Sequence, residues 1–375
     1  MVKMHNRDFD IDAFVVGGGP AGLAAAIAAR RQGFSVIVAD SAVPPIDKAC
    51  GEGLMPDALH SLHQLGVSLD SHGTGKFQGI KFIGAEGAVE SHFQQGAGTG
   101  IRRTRLHQAL LDSAAGLGVQ FLWGTHIDGS QDSGIRTGDR TIRARWIIGA
   151  DGDHSHVRDW AGLSSSQKKT QRIGMRQHFQ IGPMSEFVEI YWGDHGQAYV
   201  TPIGANEICV ALIAKKKSAS FDEGIAQYPA LANHLQGAVS TSSVRGAVTS
   251  SRKLKSVHSG NIALIGEASG SVDAITGEGL GMAFRQAVAL SHALVANDLA
   301  LYQTAHKKIA SLPSFMAKSM LLMDKSPWIR KHAMRAFVRK PVLFEQLLSV
   351  HVGELGLEKF GMRGAFDLGW EMLSE

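Results

Sequence analysis

The chain has 375 residues, 44% apolar and 19% charged, which is typical of a globular protein of about two domains. No stretch approaches the roughly 18 apolar residues of a membrane-spanning helix, and the polar N-terminus predicts no cleaved signal peptide. The charge excess, 38 Lys and Arg against 34 Asp and Glu, is too small to indicate nucleic-acid binding. Two distant cysteines, Cys50 and Cys209, exclude a disulfide framework and a cysteine-rich metal site, so we expect a cytoplasmic, metal-free protein.

A glycine-rich turn follows the first apolar segment, residues 13–16, and leads into an alanine-rich helix. In such a unit the first glycine permits the turn, the second lets the backbone approach a pyrophosphate, and the third lets helix and strand pack closely. The free N–H groups and the dipole of the helix then face the phosphates, and proline suits the first turn. We expect five residues at the pyrophosphate: Gly17, Gly19, Pro20, Ala21 and Gly22.

A second apolar segment, residues 35–39, ends in Asp40, about 20 residues after the glycines. An acid at this distance accepts hydrogen bonds from ribose hydroxyls in dinucleotide-binding folds. A glycine turn that binds nothing is the alternative, but strand, helix and acid all have the spacing of a nucleotide site. The chain therefore opens with a predicted nucleotide-binding unit.

The next segments are a polar loop, a short helix over residues 56–65 and strand-like runs over 76–83 and 88–94. The loop from Lys48 to Gly53 is too polar for a core, so it either contacts a ligand or simply connects two elements. A helix capped by Thr104 is predicted next. Arg103 precedes this cap and either reaches an anionic ligand or carries a solvated surface charge.

Between residues 171 and 213 the hydrophobic period changes to two. Four antiparallel strands are predicted there, over residues 177–181, 187–192, 197–203 and 207–213. A buried strand over 261–266 follows, and then a glycine turn opens a long helix over about 281–297. The alternating segment thus indicates a second, sheet-based domain.

Three separated segments together resemble one superfamily, that of the group A flavin monooxygenases and geranylgeranyl reductases. They are the glycine turn with Asp40, the segment Asp151-Gly152-x-x-Ser155-x-Val157-Arg158, and the strand ending in Gly266-Glu267-Ala268 with the turn Gly277-x-Gly279 behind it. The resemblance covers about residues 10–300 and implies bound FAD. It also implies an α/β fold in which a Rossmann-like FAD-binding domain of the glutathione reductase type carries an inserted, mostly antiparallel β-sheet substrate domain and a C-terminal helical tail.

The corresponding domain boundaries are as follows. The FAD-binding domain comprises residues 1–72, 96–165 and 255–305, the substrate domain 73–95 and 166–254, and the helical segment 306–375.

The resemblance also implies roles for single residues. The glycine turn holds the FAD pyrophosphate, Asp40 the adenosine ribose, and Arg103 a position along the FAD chain. Asp151 lies by the pyrophosphate and is implicated in nicotinamide binding, and Glu267 replaces the usual aspartate at the ribityl or pyrophosphate part. The glycine turn before the long helix comprises Gly277, Gly279 and Leu280. Independently of the resemblance, its backbone N–H groups can stabilise negative charge on the pyrimidine edge of reduced flavin. The alternative is that this turn is only a helix cap.

The expected function is FAD-dependent oxidation-reduction. We favour a monooxygenase of secondary metabolism that uses NADPH or NADH and acts on a hydrophobic aromatic, polyketide or prenyl molecule. A geranylgeranyl reductase-like C=C reductase of prenyl chains is the first alternative, indicated by the Thr-Gly-Glu-Gly turn and by Cys50-Gly51. The aromatic motif of that branch is matched only loosely, by residues 198–202. A non-catalytic flavin-binding protein is the second alternative.

Aromatic and polar side chains of the alternating sheet are candidates for the wall of a small-molecule pocket: His178, Phe179, Tyr191, Trp192, Tyr199 and Pro202. Among them, His178 or Tyr199 could deprotonate a phenol, because burial and neighbours tune their pKa values. Ordinary core packing is the alternative for each of them.

The C-terminal tail is helical and basic. Residues 307–340 contain nine Lys and Arg but a single acid, Asp324, interleaved with large apolar residues. Such helices either contact an anionic membrane surface or cap the FAD-binding domain with their charges in solvent. No nucleic-acid-binding module is present, and the sequence does not indicate an oligomeric state.

Overall fold

A computed structural model describes residues 9–69, 73–131, 134–164, 168–215 and 220–356, together with residues 369, 371 and 372. Its strands, in chain order, are β1 (Ile11–Val16), β2 (Val36–Asp40), β3 (Gly53–Leu54), β4 (Gly75–Phe77), β5 (Gly79–Gly84), β6 (Gly87–His92), β7 (Gly98–Gly100), β8 (Gln120–Trp123), β9 (Gly129–Gln131), β10 (Gly134–Thr137), β11 (Arg140–Gly149), β12 (Lys168–Gln180), β13 (Phe187–Trp192), β14 (Gly196–Gly204), β15 (Glu207–Lys215), β16 (Val239–Ser240), β17 (Arg245–Arg252), β18 (His258–Ser259) and β19 (Ile262–Leu264). Its α-helices are α1 (Pro20–Arg31), α2 (Pro56–Gln64), α3 (Arg103–Gly116), α4 (His156–Trp160), α5 (Phe221–Ile225), α6 (Pro229–His234), α7 (Gly279–Ala296), α8 (Leu299–Lys325), α9 (Pro327–Arg339) and α10 (Pro341–His351).

The first sheet contains a parallel core. Its order is β18-β19-β11-β1-β2-β8, with β19, β11, β1, β2 and β8 parallel and the β9–β10 hairpin added to β11. Apolar side chains of these strands alternate between two clusters, one against α1, α3 and α7 and one against α4 and the hairpin. Both faces are therefore covered, as parallel sheets require.

The second sheet is antiparallel apart from one pair. Its order is β16-β12-β15-β14-β13-β5-β6, with β17 also on β12, and only β13 and β5 run parallel. One face packs against α5 and α6, and the other packs against α8, α9 and α10. The predicted α/β fold, with an added antiparallel sheet and a helical C-terminal region, is confirmed.

Two local predictions were wrong. The predicted strand over residues 76–83 divides at Gln78 into β4 and β5, which lie in different sheets, since β4 joins the small sheet β3-β7-β4. Helix α3 begins at Arg103 itself, and Thr104 does not cap it. The backbone N–H of Arg103 donates instead to the Glu52 carboxylate at 2.8 Å, so a distant acid supplies the cap.

The C-terminal helical region includes one long helix, α8. Helix α8 runs without a break from Leu299 to Lys325, so the predicted boundary between residues 305 and 306 falls inside one helix. None of the helices in the described ranges is long and apolar enough to cross a bilayer.

A buried charge cluster joins the second sheet to α8 and to the segment before the last glycine turn. Arg172 on β12 is paired with Asp273 and lies 3.5 Å from Asp324 on α8. Gln197 on β14 accepts from Arg172 at 3.1 Å and donates to Asp324 at 2.6 Å. Asp273 also accepts the N–H of Ile275 at 3.1 Å, which fixes the chain that leads to Gly277. Burial of these charges is tolerated because each is paired.

Arg172→Met should leave two buried carboxylates without their cation and lower the free energy of unfolding by about 3–5 kcal/mol. The matched control is Arg245→Met, because Arg245 is 56% exposed and lies 3.5 Å from Asp47, a geometry that contributes about 0–1 kcal/mol. Urea unfolding of the two variants measures both effects. Equal losses for the two variants would contradict a structural role for the buried cluster.

Candidate functional site

The first glycine turn lies against the end of β11. Gly17 has a φ of +108°, and a Cβ added there would lie 2.4 Å from the carbonyl oxygen of Ala150. A Cβ on Gly22 would lie 1.9 Å from the carbonyl oxygen of Gly17. By contrast, a Cβ on Gly19 meets nothing within 4 Å. Two glycines are thus required by contacts within the protein, and the third faces open space where a ligand backbone could approach.

Asp40 ends β2 beside this turn. Its carboxylate accepts the N–H of Gly18 at 2.7 Å and the N–H of Ala42 at 2.8 Å. Sequence reasoning missed His107 on α3, whose buried Nε2 donates to the carbonyl of Gly18 at 2.9 Å. Burial lowers the pKa of His107, so the ring stays neutral at physiological pH. A histidine on a buried helix face carries no sequence signal for this contact.

The second predicted segment follows β11. Ser155 caps α4 by accepting the N–H of Arg158 at 3.0 Å, and Asp151 accepts the N–H of Val157 at 3.1 Å. The guanidinium of Arg158 donates to the carbonyl of Ala268 at 3.2 Å and so connects this segment to the third. The other carboxylate oxygen of Asp151 is buried and has no hydrogen-bond partner among the described residues.

The third segment lies against the first helix. A Cβ on Gly266, whose φ is +62°, would lie 2.7 Å from the Cβ of Ala21. The N–H of Gly266 donates to the buried side chain of Gln286 on α7 at 2.9 Å. Glu267 is half exposed and forms an ion pair with Lys48 at 2.6 Å. The longer glutamate arm, in place of the usual aspartate, is therefore held by the loop that begins at Lys48.

The last glycine turn opens α7 as predicted. Gly277 is in the left-handed region with a φ of +70°, and α7 begins at Gly279, with Leu280 in its first turn. Neither glycine would place a Cβ within 4 Å of any other atom. The turn therefore presents backbone N–H groups and the positive end of an 18-residue helix to open space.

The loop from Lys48 to Gly53 is more than a connector. The carboxylate of Glu52 is fully buried, and it accepts from the backbone of Arg103 at 2.8 Å and from Nε2 of His178 at 2.7 Å. The Nε atom of Arg103 is buried and has no hydrogen-bond partner in the described ranges. Sequence reasoning missed Glu52, although it noted the polarity of this loop.

Glu52, His178 and Cys209 bring one potential metal-ligand atom each within 4.8 Å of one another. Several contacts already occupy these groups, because Arg176 lies 3.7 Å from Glu52 and the Cys209 thiol donates to the Cys50 carbonyl at 3.7 Å. Burial raises the pKa of the Cys209 thiol well above its usual value, so this thiol is protonated in the network. The arrangement fits a charge-paired network better than a metal centre.

The predicted wall residues divide between the two faces of the second sheet. Phe179 and Tyr191 pack with α5 and α6, and the Tyr191 hydroxyl donates to Glu189 at 2.7 Å. Trp192 and Tyr199 lie on the face toward α8 to α10. The structure therefore does not bring these four side chains together.

The two proposed proton-transfer groups are both hydrogen-bonded within the protein. Nδ1 of His178 lies 2.9 Å from the Ser242 hydroxyl, and Nε2 donates to Glu52. The Tyr199 hydroxyl donates to the carbonyl of Ile275 at 2.8 Å, and burial raises its pKa, so it stays protonated at neutral pH. Tyr199 thus anchors the chain just before Gly277. Pro202 lies elsewhere, with its carbonyl against Gly75 and Gly100 of the small sheet.

These features fit FAD. Open space lies beside Gly19, Gly277 and Gly279, and the buried unpartnered atoms of Arg103 and Asp151 are a donor and an acceptor without partners in the described part of the chain. Buried polar atoms normally have partners, so these two are available to bond a polar ligand.

Gly19→Ala should weaken FAD binding roughly 30-fold, which corresponds to about 2 kcal/mol of lost hydrogen bonding to the phosphates. The free energy of unfolding of the apoprotein should not change. Gly22→Ala should instead destabilise the fold by about 1–3 kcal/mol, because its Cβ overlaps the Gly17 carbonyl. Flavin fluorescence titration of the apoprotein and urea unfolding separate the two effects. Gly129→Ala, also in open space, is the control. Unchanged FAD affinity in Gly19→Ala would contradict the assignment of this space to the pyrophosphate.

His306 makes the third segment sensitive to acid. Its Nε2 lies 2.9 Å from the Ser269 hydroxyl, which itself donates to the Gly266 carbonyl at 2.8 Å. Burial lowers the pKa of His306 from 6.5 to about 4. Between these two values the unfolded chain binds a proton that the folded protein does not, so stability falls as the pH falls.

His306→Gln should abolish this dependence. Between pH 7 and pH 5, we expect the free energy of unfolding of the unsubstituted apoprotein to fall by about 2 kcal/mol more than that of the variant. The control is His126→Gln, because His126 is exposed. Urea unfolding at the two pH values measures the difference, and parallel profiles for all three proteins would contradict the prediction.

Comparison with known proteins agrees with this geometry. Residues 10–300 match the sequence family named FAD binding domain. The chain is 28% identical over 326 residues to a menaquinone reductase of Mycobacterium tuberculosis, covering 78% of each protein. It is 29% identical over 307 residues to the putative 2-heptyl-3-hydroxy-4(1H)-quinolone synthase AqdB1 of Rhodococcus erythropolis, covering 76% of this chain and 80% of that protein.

A similar fold occurs in a flavoprotein/dehydrogenase from Cytophaga hutchinsonii. The TM-score is 0.81 at 18% identity, and the similarity covers 96% of this chain and 98% of that one. The family match extends over most of the chain and includes all three segments of the site. The chain therefore belongs to the FAD binding domain family, the superfamily of the group A flavoprotein monooxygenases, and is an FAD-dependent oxidoreductase.

Proposed function

We propose that the protein is an NADPH- or NADH-dependent monooxygenase of secondary metabolism that acts on a bicyclic aromatic molecule with an apolar tail. One observation carries the substrate class: the last glycine turn adjoins a large apolar cluster. Ile275, two residues before Gly277, is fully buried in this cluster with Met55, Trp192 and Tyr199. Methionine and aromatic side chains from α8 to α10 complete it.

The residues of this chain have separate tasks in the reaction. FAD, when bound, supplies the oxidation-reduction chemistry. The glycine turns and Asp40 hold it along its length, and Asp151 also contributes to the nicotinamide site. The apolar cluster excludes water from the reacting atoms and binds the tail of the substrate. Methionines suit this task because their flexible side chains repack around different apolar shapes.

The names of two relatives support this substrate class. Menaquinone is a two-ring quinone with a prenyl tail, and 2-heptyl-3-hydroxy-4(1H)-quinolone is a two-ring heterocycle with an alkyl tail. The second name also supports hydroxylation, because its product carries a ring hydroxyl group.

The alternative is reduction of a C=C bond in a prenyl tail. The menaquinone reductase relatives favour this alternative, and so does the sequence Thr-Gly-Glu-Gly of the last glycine turn. Both reactions use the same apolar cluster and the same cofactor. We propose a cytoplasmic location, where NADPH and NADH are available.

The two reactions differ in the fate of oxygen. Purified holoenzyme would be incubated with NADPH or NADH under ¹⁸O₂ and offered alkylquinolones or menaquinone. A product that contains ¹⁸O supports the monooxygenase. An anaerobic product with one saturated tail bond would overturn it in favour of the reductase. Oxidation of the nicotinamide without any product would contradict the proposed substrate class.

Trp192→Phe should raise the KM for the tailed substrate several-fold, because it removes part of the apolar wall. Tyr191→Phe is the matched control, since Tyr191 lies on the opposite face of the same strand. Steady-state kinetics at constant FAD occupancy measure the effect, and equal changes in KM for the two variants would contradict the assignment of the wall.

A further inference from the structure

Helix α8 has a second apolar surface that no described part of the chain covers. Its inner side is packed against the second sheet through Ala317, Met320 and Met323. On its outer side, Phe315 is 43% exposed and Leu322 is 55% exposed. They recur with the spacing of one helix face, so this helix is apolar on both sides.

Helix α9 repeats this pattern. Trp328 at its start is 54% exposed, while Met334 and Phe337 on the opposite side are buried. Of the twelve large apolar side chains that are exposed in the described residues, six lie on α8 to α10, including both aromatic ones. Exposed apolar side chains that are grouped, as they are along these consecutive helices, are typical of an interaction surface.

The exposed apolar side chains alternate with cations. Lys318, Lys325 and Lys331 are exposed, and no ion pair of theirs occurs within the described ranges. The single acid of residues 307–344, Asp324, is buried and bonded to Arg172 and Gln197, so it adds no negative charge to the surface. The exposed side of each of the two helices is therefore both apolar and positively charged.

We propose that this surface docks on an anionic lipid bilayer. It is termed the basic–apolar face and consists of Phe315, Lys318, Leu322, Lys325, Trp328 and Lys331. The lysines would contact lipid headgroups, and the tryptophan, phenylalanine and leucine would enter the boundary with the acyl chains. The contact is peripheral, and it does not depend on which reaction the enzyme catalyses.

Charge and composition favour a bilayer over other partners. A second copy of the chain would bring an equally basic face and be repelled. A nucleic acid would satisfy the lysines, but it offers no apolar medium to an exposed leucine and phenylalanine. An anionic bilayer satisfies both kinds of side chain at once.

The test uses the full-length holoenzyme and vesicles of phosphatidylcholine alone or mixed with phosphatidylglycerol. Co-sedimentation should show binding to the mixed vesicles only, and binding should fall steeply with salt. Each lysine contributes about fivefold to the partition coefficient, so the triple variant Lys318→Glu, Lys325→Glu, Lys331→Glu should bind more than about 100-fold less.

The matched control reverses three exposed arginines on the β10–β11 hairpin: Arg136→Glu, Arg140→Glu and Arg143→Glu. The net charge changes equally in both triple variants. If the basic–apolar face binds the vesicles, the control variant should therefore keep its binding and the lysine variant should lose it. Tryptophan fluorescence gives a second readout. It should shift to the blue with mixed vesicles, and Trp328→Phe should lose this shift.

Several results would overturn the proposal: no binding to mixed vesicles, equal binding to neutral vesicles, or equal losses in the two triple variants. Binding of duplex DNA without binding of vesicles would assign the face to nucleic acid, and dimerisation that the triple variant abolishes would assign it to a second copy. The visible flavin spectrum and NADPH oxidation of every variant distinguish a failure of docking from a failure of the enzyme.

Discussion

The close approach of the first glycine turn to the end of β11 determines where the proposed cofactor site lies. The Gly17 backbone leaves no room for a side chain beside the Ala150 carbonyl, and the Ala150 N–H donates to the Val16 carbonyl at 2.7 Å. Because β1, β2 and β11 are parallel, their carboxyl ends share one edge of the sheet. Asp40 and Asp151 are brought to this edge although they are 111 positions apart in the sequence.

A second constraint relates this edge to the rest of the molecule. Arg172, Asp273 and Asp324 form a buried cluster that holds the last glycine turn, the antiparallel sheet and α8 together. Helices α8 and α9 consequently have two surfaces with different surroundings. Their inner side completes the apolar cluster proposed to bind the substrate tail, and their outer side is the basic–apolar face. The two proposals thus place an apolar substrate and a lipid surface on opposite sides of the same helices.

Local patterns predicted the elements that short-range chemistry determines. The glycine turn, Asp40 and the strand before Asp151 were visible because strand periodicity, turn residues and spacing all lie within short windows. The cap of α3 could not be predicted from local sequence, because Glu52 supplies it from 51 positions away. His107 and Arg172 act through tertiary contacts that leave no sequence pattern. Successive side chains of a strand point to opposite faces of the sheet, so Tyr191 and Trp192 lie on different faces, although both were expected to line the same pocket.

We infer that three distant segments hold FAD along its whole length, and a comparison of two flavins can test this inference. Apoprotein would be titrated with FAD and with FMN, and binding followed by the change in flavin absorbance. FMN lacks the pyrophosphate-linked adenosine that the glycine turn and Asp40 are expected to hold. We therefore predict binding of one FAD per chain and FMN affinity lower by orders of magnitude. Equal affinity for the two flavins, or binding of neither, would rule out this arrangement of the cofactor.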